Sequence, residues 1–176
     1  MTRIPKKIFL IGFMASGKTA VAKALHEYLP NYKLVDADDY IERRFKTTVP
    51  KLFTTRGEAY FRTKENQALK ILTASTRIML IATGGGMPCT SNAMDIMNGN
   101  GITIYLKTDA ITLTQRLVNE QHKRPLIQEL SAQELKQFVV HKLSERTPYY
   151  EQANHTIDAS LPITEIVQQI IDLNLA

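Results

Sequence analysis

Residues 7–25 read KIFLIGFMASGKTAVAKAL and join two patterns within a few positions. A short apolar run at 8–11 is typical of a buried strand, and apolar residues then recur every four positions over 21–29, as on one face of a helix. Between them, GFMASGKT at 12–19 matches the pattern G-x-x-x-x-G-K-[ST]. The match lies after a strand and opens a helix, which is the context that this motif requires.

The residue types of this loop suit a phosphate group. Glycine lets backbone N–H groups converge on an anion, and a helix N-terminus adds a partial positive charge. Lys18 would reach the β- and γ-phosphates of a nucleotide, and Thr19 would ligate Mg²⁺. The alternative is a glycine-rich turn with a solvent-exposed lysine, which the strand–helix context disfavours. The residues expected to bind the nucleotide here are Gly12, Ala15, Ser16, Gly17, Lys18, Thr19 and Ala20.

Binding of a nucleoside triphosphate leaves GTPase switches, motor-like ATPases and small-molecule kinases open. The N-K-x-D pattern with which GTPases read guanine is missing from the sequence. The chain has 176 residues, the usual size of one domain, and is short for an ATPase that couples to a partner.

Composition limits the partners. The net charge of +5 favours anionic ligands, but the chain has no dense Lys/Arg run and no Trp, so a stacking platform for single-stranded nucleic acid is poorly supported. The single cysteine, Cys89, excludes an internal disulfide and a cysteine-based metal site. No apolar segment approaches the ~20 residues that span a membrane. We expect a cytoplasmic monomer that acts on small molecules, not on nucleic acid or membranes.

Strand-like and helix-like segments alternate along the chain. KLVDA, RIMLIATGGG, GITIYLK and HTIDA follow the first strand as four more, with helical patterns between them. This alternation predicts an α/β fold of three layers, in which a parallel five-stranded sheet is flanked by helices. One helix is expected to end near Gly57 and another to follow it at once. With no repeat or linker in the sequence, we predict a single domain over 1–176.

The remaining motifs resemble those of shikimate kinases, P-loop enzymes that transfer the γ-phosphoryl group of ATP to the 3-hydroxyl of shikimate. The matching stretches are GFMASGKT, DADDYIE, LFTTRGEAYFRTKE, TGGG, KRPLI and RTPYYE. They cover nearly the whole chain in the family's order. The resemblance implies a P-loop kinase fold with substrate-binding helices at about 37–66 and a mobile lid at about 119–127. It also implies ATP and Mg²⁺ as cofactors, and a place in chorismate and aromatic amino acid biosynthesis.

Three other functions stay open beside this one. A related P-loop kinase for another carboxylated or polyhydroxylated metabolite would keep the phosphate loop and the lid. An ATP-binding regulator without turnover would have no need to retain Lys18, Thr19, Asp38 and Arg124 together. A nucleic-acid-binding module is suggested by the positive charge alone.

Three aspartates lie at the end of the second strand. The resemblance assigns Asp36 to Mg²⁺, through water, and Asp38 to the substrate hydroxyls and their proton. Alternation along an extended chain would put both carboxylates on one side, at the edge where open α/β sheets bind ligands. Asp39 is expected only to N-cap the next helix.

The acceptor would be held by a second set of residues. The resemblance makes Arg62 a clamp for the substrate carboxylate, with Glu65 orienting it and Phe61 forming a wall for the ring. From the residues alone, a surface Arg–Glu pair beside a core phenylalanine is an ordinary alternative. Arg146 matches the second arginine of the clamp, although an arginine near a helix end is also favoured by the helix dipole.

Glycines and two further arginines complete the expected site. Gly84, Gly85 and Gly86 follow a buried strand, where their backbone can approach a ligand closely. Arg124, in the lid, would swing over the γ-phosphate while closure excludes water. Arg116 resembles the residue that stacks on adenine.

Two positions depart from the family pattern, and one strand end is unusual. Ala15 replaces a frequent glycine at an unrestricted position of the loop motif, where we expect it to be tolerated, and Tyr149 replaces a usual leucine. Thr83 takes the place of an acidic residue that orients the metal in other P-loop proteins. We expect it to hold a magnesium-bound water.

Overall fold

The computed structural model describes residues 5–124 and 126–173. Outside the described residues lie 1–4 and 174–176, which are the two ends of the predicted domain. Pro125, which belongs to the predicted lid, is also outside them. The strands are β1 Lys7–Ile11, β2 Lys33–Asp36, β3 Met79–Ala82, β4 Ile102–Lys107 and β5 His155–Asp158. They form one parallel sheet in the order β2-β3-β1-β4-β5, which confirms the predicted five-stranded parallel sheet.

In the part of the chain that the structure describes, seven α-helices connect or follow the strands. They are α1 Lys18–Tyr28, α2 Ala37–Phe45, α3 Val49–Ala74, α4 Ala93–Asn100, α5 Ala110–Val118, α6 Ala132–Tyr150 and α7 Ile163–Asp172. Helix α3 breaks at Gly57, whose φ of 79° and ψ of 169° are not helical. Glycine adopts such angles without a steric cost, so the predicted end of one helix at this residue is confirmed as a sharp break between two helical segments.

The core consists of two layers, one on each face of the sheet. Phe9 and Ile11 of β1 pack in a cluster with residues of α2–α6, whereas Ile8 and Leu10 of the same strand pack against α1 and α7. All four side chains are buried. Strands buried on both faces have no polar side, which explains the unbroken apolar run that β1 shows in the sequence.

The sheet order places a crevice at the carboxyl end of β1. The chain leaves β1 for α1, while the neighbours of β1 in the sheet are β3 and β4. Open α/β sheets bind ligands outside the carboxyl ends of strands where the strand order reverses. The loops that follow β1, β2 and β3 therefore meet at one edge. Among the described residues, no helix is both long and apolar enough to cross a bilayer.

Candidate active site

The loop between β1 and α1 has a backbone that only glycine adopts readily at its two ends. Gly12 has a φ of 145°, and a Cβ there would lie 2.8 Å from the carbonyl oxygen of Leu106. Gly17 has a φ of 91° and is the N-cap of α1. Among the described residues, no side chain caps this helix and no acidic residue lies in its first turn. The first N–H groups of α1 are thus left for an anion.

Lys18 lies folded over this loop. Its Nζ donates to the carbonyl oxygens of Gly12 at 2.9 Å and Phe13 at 2.7 Å, and it is buried. Burial lowers the pKa of Lys18 to about 8, while the charge of Asp38 raises it. The ammonium group therefore stands beside the space that the loop encloses, where a phosphate would supply the negative charge that it lacks.

Thr19 and Asp36 join β2 to the phosphate loop. The Thr19 hydroxyl donates to Oδ2 of Asp36 at 2.7 Å. Within residues 5–124 and 126–173, no three His, Cys, Asp or Glu side chains gather as a metal site. Mg²⁺ is usually held by one or two protein oxygens together with substrate phosphates and water, so the Thr19–Asp36 pair fits that ion.

The prediction for the aspartates was wrong in two details. Asp36 itself is the N-cap of α2, because its Oδ1 accepts from the N–H groups of Asp38 at 3.0 Å and Asp39 at 3.4 Å. Asp39 therefore does not cap this helix. Asp38 lies in the first helical turn and not on an extended chain, so alternation does not explain its direction. Both Asp36 and Asp38 nevertheless face the cleft beside the phosphate loop.

Asp38 has a raised pKa. Protein surrounds its carboxyl group, although solvent still reaches the side chain through the open cleft. Burial raises the pKa of Asp38 to about 6, and the charge of Asp36 acts in the same direction. The positive charges of Lys18 and Arg124 oppose this shift. A carboxylate with this pKa is mostly ionised at neutral pH and is a stronger proton acceptor than an ordinary aspartate.

Arg62 is held between two carboxylates of its own helix. Its Nη1 donates to Oε2 of Glu65, as predicted, and its Nε and Nη2 donate to Oε1 of Glu58 at 3.2 and 2.6 Å. Glu65 is fully buried, and its Oε1 has no hydrogen-bond partner among the described residues. Burial raises the pKa of Glu65 to about 7, against the opposing charge of Arg62. The sequence reasoning missed Glu58, although its i,i+4 spacing to Arg62 was a visible signal.

The glycines after β3 pack directly against charged side chains. A Cβ at Gly84 would lie 2.6 Å from Oε1 of Glu65 and 2.9 Å from Oδ1 of Asp38, and one at Gly86 would collide with the Arg62 guanidinium. No larger residue fits at these positions without moving a charged group. Residues Gly84–Gly86 form the glycine loop. Its backbone is therefore in contact with the charged side chains of the candidate acceptor site.

Helix α6 supplies a second arginine and an anchor for the glycine loop. Arg146 is buried, and its guanidinium carbon lies 5.3 Å from the centroid of the Phe13 ring. One turn further on, the hydroxyl of Tyr150 donates to the carbonyl oxygen of Gly85 at 2.6 Å. Tyr150 was not among the predicted residues, because a tyrosine that packs in the core has no local signal of such a contact.

Arg124 and Arg116 lie on the other side of the cleft. Nη2 of Arg124 donates to Glu120 at 2.6 Å, within the predicted lid. Arg116 donates to the carbonyl oxygens of Ala15 at 3.3 Å and Ala159 at 3.1 Å. Its guanidinium thus stands at the rim of the phosphate loop, and its stacking on adenine stays a prediction.

The structure shows the surroundings of three single positions that the sequence singled out. Ala15 has a φ of 62°, a left-handed conformation that glycine adopts more readily than alanine, and its tolerance stays a prediction. Tyr149 is exposed, and its added hydroxyl is therefore solvated. Thr83 is buried and donates its hydroxyl to the carbonyl oxygen of Leu10 at 3.0 Å, and its contact with a magnesium-bound water stays a prediction.

Two adjoining cavities are lined by the predicted residues other than Gly12, whose carbonyl oxygen accepts from Lys18. The large cavity, of about 600 Å³, is lined by the phosphate loop, Asp36, Arg116 and Ile163. The small cavity, of about 240 Å³, is lined by a different set, which comprises Phe53, Phe61, Arg62, Glu65, Gly86 and Arg146. Both cavities are also lined by Met14, Asp38, Gly84, Gly85 and Arg124. A ligand in one cavity would thus lie beside a ligand in the other, with Asp38 and Arg124 between them.

The fold and this pair of cavities define the class of protein: a P-loop kinase with a nucleotide cleft and a small, charged acceptor site. Comparisons with known proteins narrow this class. A family model described as shikimate kinase matches residues 14–174. A shikimate kinase of Parabacteroides distasonis is 40% identical over 160 residues, which are 91% of this chain and 91% of that protein.

Solved structures agree. The crystal structure of shikimate kinase from Bacteroides thetaiotaomicron matches with a TM-score of 0.89 and 37% identity over 97% of this chain and 98% of that one. The shikimate kinase of Acinetobacter baumannii, solved in complex with shikimate, also has a TM-score of 0.89, with 32% identity over 99% of this chain and 94% of that one. The chain belongs to the shikimate kinase family.

Proposed function

We propose that this protein transfers the γ-phosphoryl group of ATP to the 3-hydroxyl group of shikimate. The observation that carries the proposal is the common lining of the two cavities, since Asp38 and Arg124 face both. Phosphoryl transfer depends mainly on holding the donor and the acceptor in line and on stabilising the charge that develops between them. The small volume of the second cavity, and the guanidinium groups of Arg62 and Arg146 in its lining, fit a small acidic ring better than a nucleotide.

The nucleotide would occupy the large cavity. Its phosphates would take the free N–H groups at the start of α1, and Lys18 would exchange the carbonyl oxygens of Gly12 and Phe13 for phosphate oxygens. Thr19 and Asp36 would hold Mg²⁺, which when bound neutralises phosphate charge. Arg116 and the exposed Ile163 line the same cavity and supply the surfaces for the adenine ring.

Shikimate would occupy the small cavity. Its carboxylate would bind to the half-buried guanidinium of Arg62 and the buried one of Arg146. Arginine binds a carboxylate through paired N–H groups. Phe61 packs against Phe53 with the ring centroids 4.7 Å apart, and both line this cavity as a wall for the ring. The backbone of Gly84, Gly85 and Gly86 also lines this cavity.

Asp38 would take the proton of the attacking hydroxyl. It lies where the two cavities meet, and its raised pKa of about 6 makes it a suitable acceptor at neutral pH. Arg124 would leave Glu120 and turn to the γ-phosphoryl group, where it offsets charge in the transition state. We propose that residues 119–127 close over the site as a lid and exclude the water that would otherwise hydrolyse ATP. We also propose a single-domain monomer in the cytoplasm.

The test is an acceptor panel. The purified protein with Mg-ATP should release ADP rapidly with shikimate and only at a background rate without an acceptor. Gluconate, a carboxylated polyol without the ring, and quinate, a close cyclic relative, serve as matched acceptors. An equal rate of ADP release with gluconate would contradict the proposal and favour a kinase for another metabolite. A rate that does not depend on the acceptor would contradict it and favour an ATPase.

A further inference from the structure

Arg62 has two acidic partners that differ in their surroundings. The side chain of Glu65 is 1% exposed, whereas that of Glu58 is 47% exposed. Because burial raises the pKa of Glu65 to about 7, this partner carries only part of its negative charge near neutral pH. Glu58 does not share that burial, and its Oε1 bridges two nitrogens of the guanidinium.

The hydrogen-bond count shows what remains for a ligand. A guanidinium group has five N–H donors. Glu58 accepts from Nε and Nη2, and Glu65 accepts from Nη1. One N–H bond on each terminal nitrogen is left over. The backbone of Gly86 closes off the guanidinium on another side, since a Cβ there would overlap it.

The break in α3 places Glu58 where this contact can form. Gly57 leaves the helical conformation, and Glu58 opens the second helical segment. Arg62 lies four residues later and Glu65 three residues after that, so all three side chains share one face of this segment. Because of the break, the second helical segment does not continue the axis of the first. The direction of Arg62 is therefore set by the second segment, which also contains Glu58 and Glu65.

We propose that Glu58 is a positioning residue for the acceptor carboxylate, acting through Arg62. It holds the Nε side of the guanidinium, so that the two remaining N–H bonds are presented to the small cavity in a fixed direction. A donor group that is oriented before binding loses less conformational entropy when the ligand arrives. The inference rests on the proposed function, since it takes the acceptor to be a carboxylate held by Arg62.

The same contacts allow an opposite arrangement, in which Glu58 occupies the place of the substrate carboxylate and must leave. The two arrangements predict opposite signs. If Glu58 positions Arg62, its removal raises the KM for shikimate; if it competes with the substrate, its removal lowers that KM. Glu58 is half-exposed and is not among the residues that line the small cavity, and it contacts the Nε side of the guanidinium; both observations favour positioning.

The test uses Glu58→Ala and Glu58→Gln in the full-length protein, with steady-state kinetics for both substrates. We expect Glu58→Ala to raise the KM for shikimate about tenfold, with kcat and the KM for ATP close to those of the wild type. Glu58→Gln keeps an oxygen that can accept from Arg62, so it should show a smaller increase. Glu151→Ala is the matched control, because Glu151 forms an exposed ion pair with Lys107 outside both cavities.

The outcomes separate the inference from the proposed function. A wild-type protein without shikimate-dependent ADP release would contradict the proposed function itself. A wild type that is active, with an unchanged or lowered KM for shikimate in both Glu58 variants, would overturn the positioning role alone. Parallel thermal unfolding distinguishes a local effect from unfolding, since a merely structural role would lower the melting temperature without separating KM from kcat.

Discussion

Asp38 and Glu65 approach Gly84 from different elements and are the two acids of the small cavity with raised pKa values, about 6 and about 7. Burial is the larger cause in both cases. Because the folded-state values lie above the ordinary ones, the folded protein binds more protons than the unfolded chain between the two sets of values. These two acids therefore make the protein less stable as the pH rises through that window. At the scale of the residue, the same burial that makes Asp38 a better proton acceptor lowers the stability of the folded protein.

The pH dependence of activity should follow Asp38. We predict that kcat/KM for shikimate falls as the pH drops through about 6, because protonated Asp38 cannot accept the hydroxyl proton. Asp38→Asn should lower kcat by roughly 10²–10⁴-fold and leave ATP binding nearly unchanged. The measurement is a pH–rate profile of both proteins, together with nucleotide titration. Turnover that survives in the variant would remove Asp38 from the proton-transfer step.

Ala15 offers a second prediction for a single residue. A left-handed φ costs a non-glycine residue about 1–2 kcal/mol, so replacement of Ala15 by glycine relieves this strain. The larger conformational entropy of glycine in the unfolded chain offsets part of the stability gained. We predict that Ala15→Gly stabilises the protein by about 0.5–1 kcal/mol, measured by denaturant unfolding. Ala24→Gly, inside α1, is the control and should destabilise it. A loss of stability in Ala15→Gly would contradict the strain argument.

At the scale of the element, the glycine loop after β3 joins the two cavities. It follows a buried strand, and Tyr150 of α6 holds the carbonyl group of Gly85. Gly85 also lies between the phosphate loop and Arg146, because a Cβ there would come within 3.1 Å of the Met14 nitrogen and 3.6 Å of Nη1 of Arg146. The position of this loop therefore depends on three elements at once.

Replacement of Gly84 tests this packing. We predict that Gly84→Ala lowers kcat/KM for shikimate by at least about tenfold, since the new methyl group would displace Glu65 or Asp38. Gly99→Ala, in α4, is the matched control, because a Cβ there meets no atom within 4 Å. Kinetics of both variants with shikimate and ATP provide the comparison. Equal activity of Gly84→Ala and Gly99→Ala would show that the loop is not in contact with the acceptor.

The elements differ in how far local sequence determines them. The apolar run of β1, the phosphate loop and the break at Gly57 depend on neighbouring residues, and the sequence predicted each of them. The identity of the α2 cap was mistaken, because Asp36, Asp38 and Asp39 are all good capping residues and only the exact end of β2 decides among them. The contact of Tyr150 with Gly85 joins residues 65 positions apart, and no local pattern reports it.

At the scale of the whole molecule, the parallel sheet brings the loops after β1, β2 and β3 to one edge, and α6 returns from the other half of the chain with Arg146. Asp36 from β2 and Lys18 from α1 thus line the large cavity, and Arg62 from α3 lines the adjoining small one. Ligand binding should stabilise the whole fold, since only the folded chain assembles this set.

Thermal unfolding measures that coupling. We predict that shikimate at about 100 times its Kd stabilises the wild type by about 2.7 kcal/mol, which raises Tm by several degrees. Arg62→Ala should lose most of this shift while keeping the shift produced by Mg-ADP, because Arg62 lines only the small cavity. If Arg62→Ala lost the Tm shifts of both ligands, or were already unfolded in the absence of ligand, Arg62 would instead be a residue that stabilises α3.

The central claim is that one cavity holds the acid group of the acceptor while its neighbour holds the nucleotide. A crystal structure with shikimate and Mg-ADP tests it most directly. We predict that the shikimate carboxylate lies between the guanidinium groups of Arg62 and Arg146, with the 3-hydroxyl within hydrogen-bond distance of Asp38 and facing the β-phosphate. Shikimate bound elsewhere, or with its carboxylate turned away from both arginines, would contradict the account.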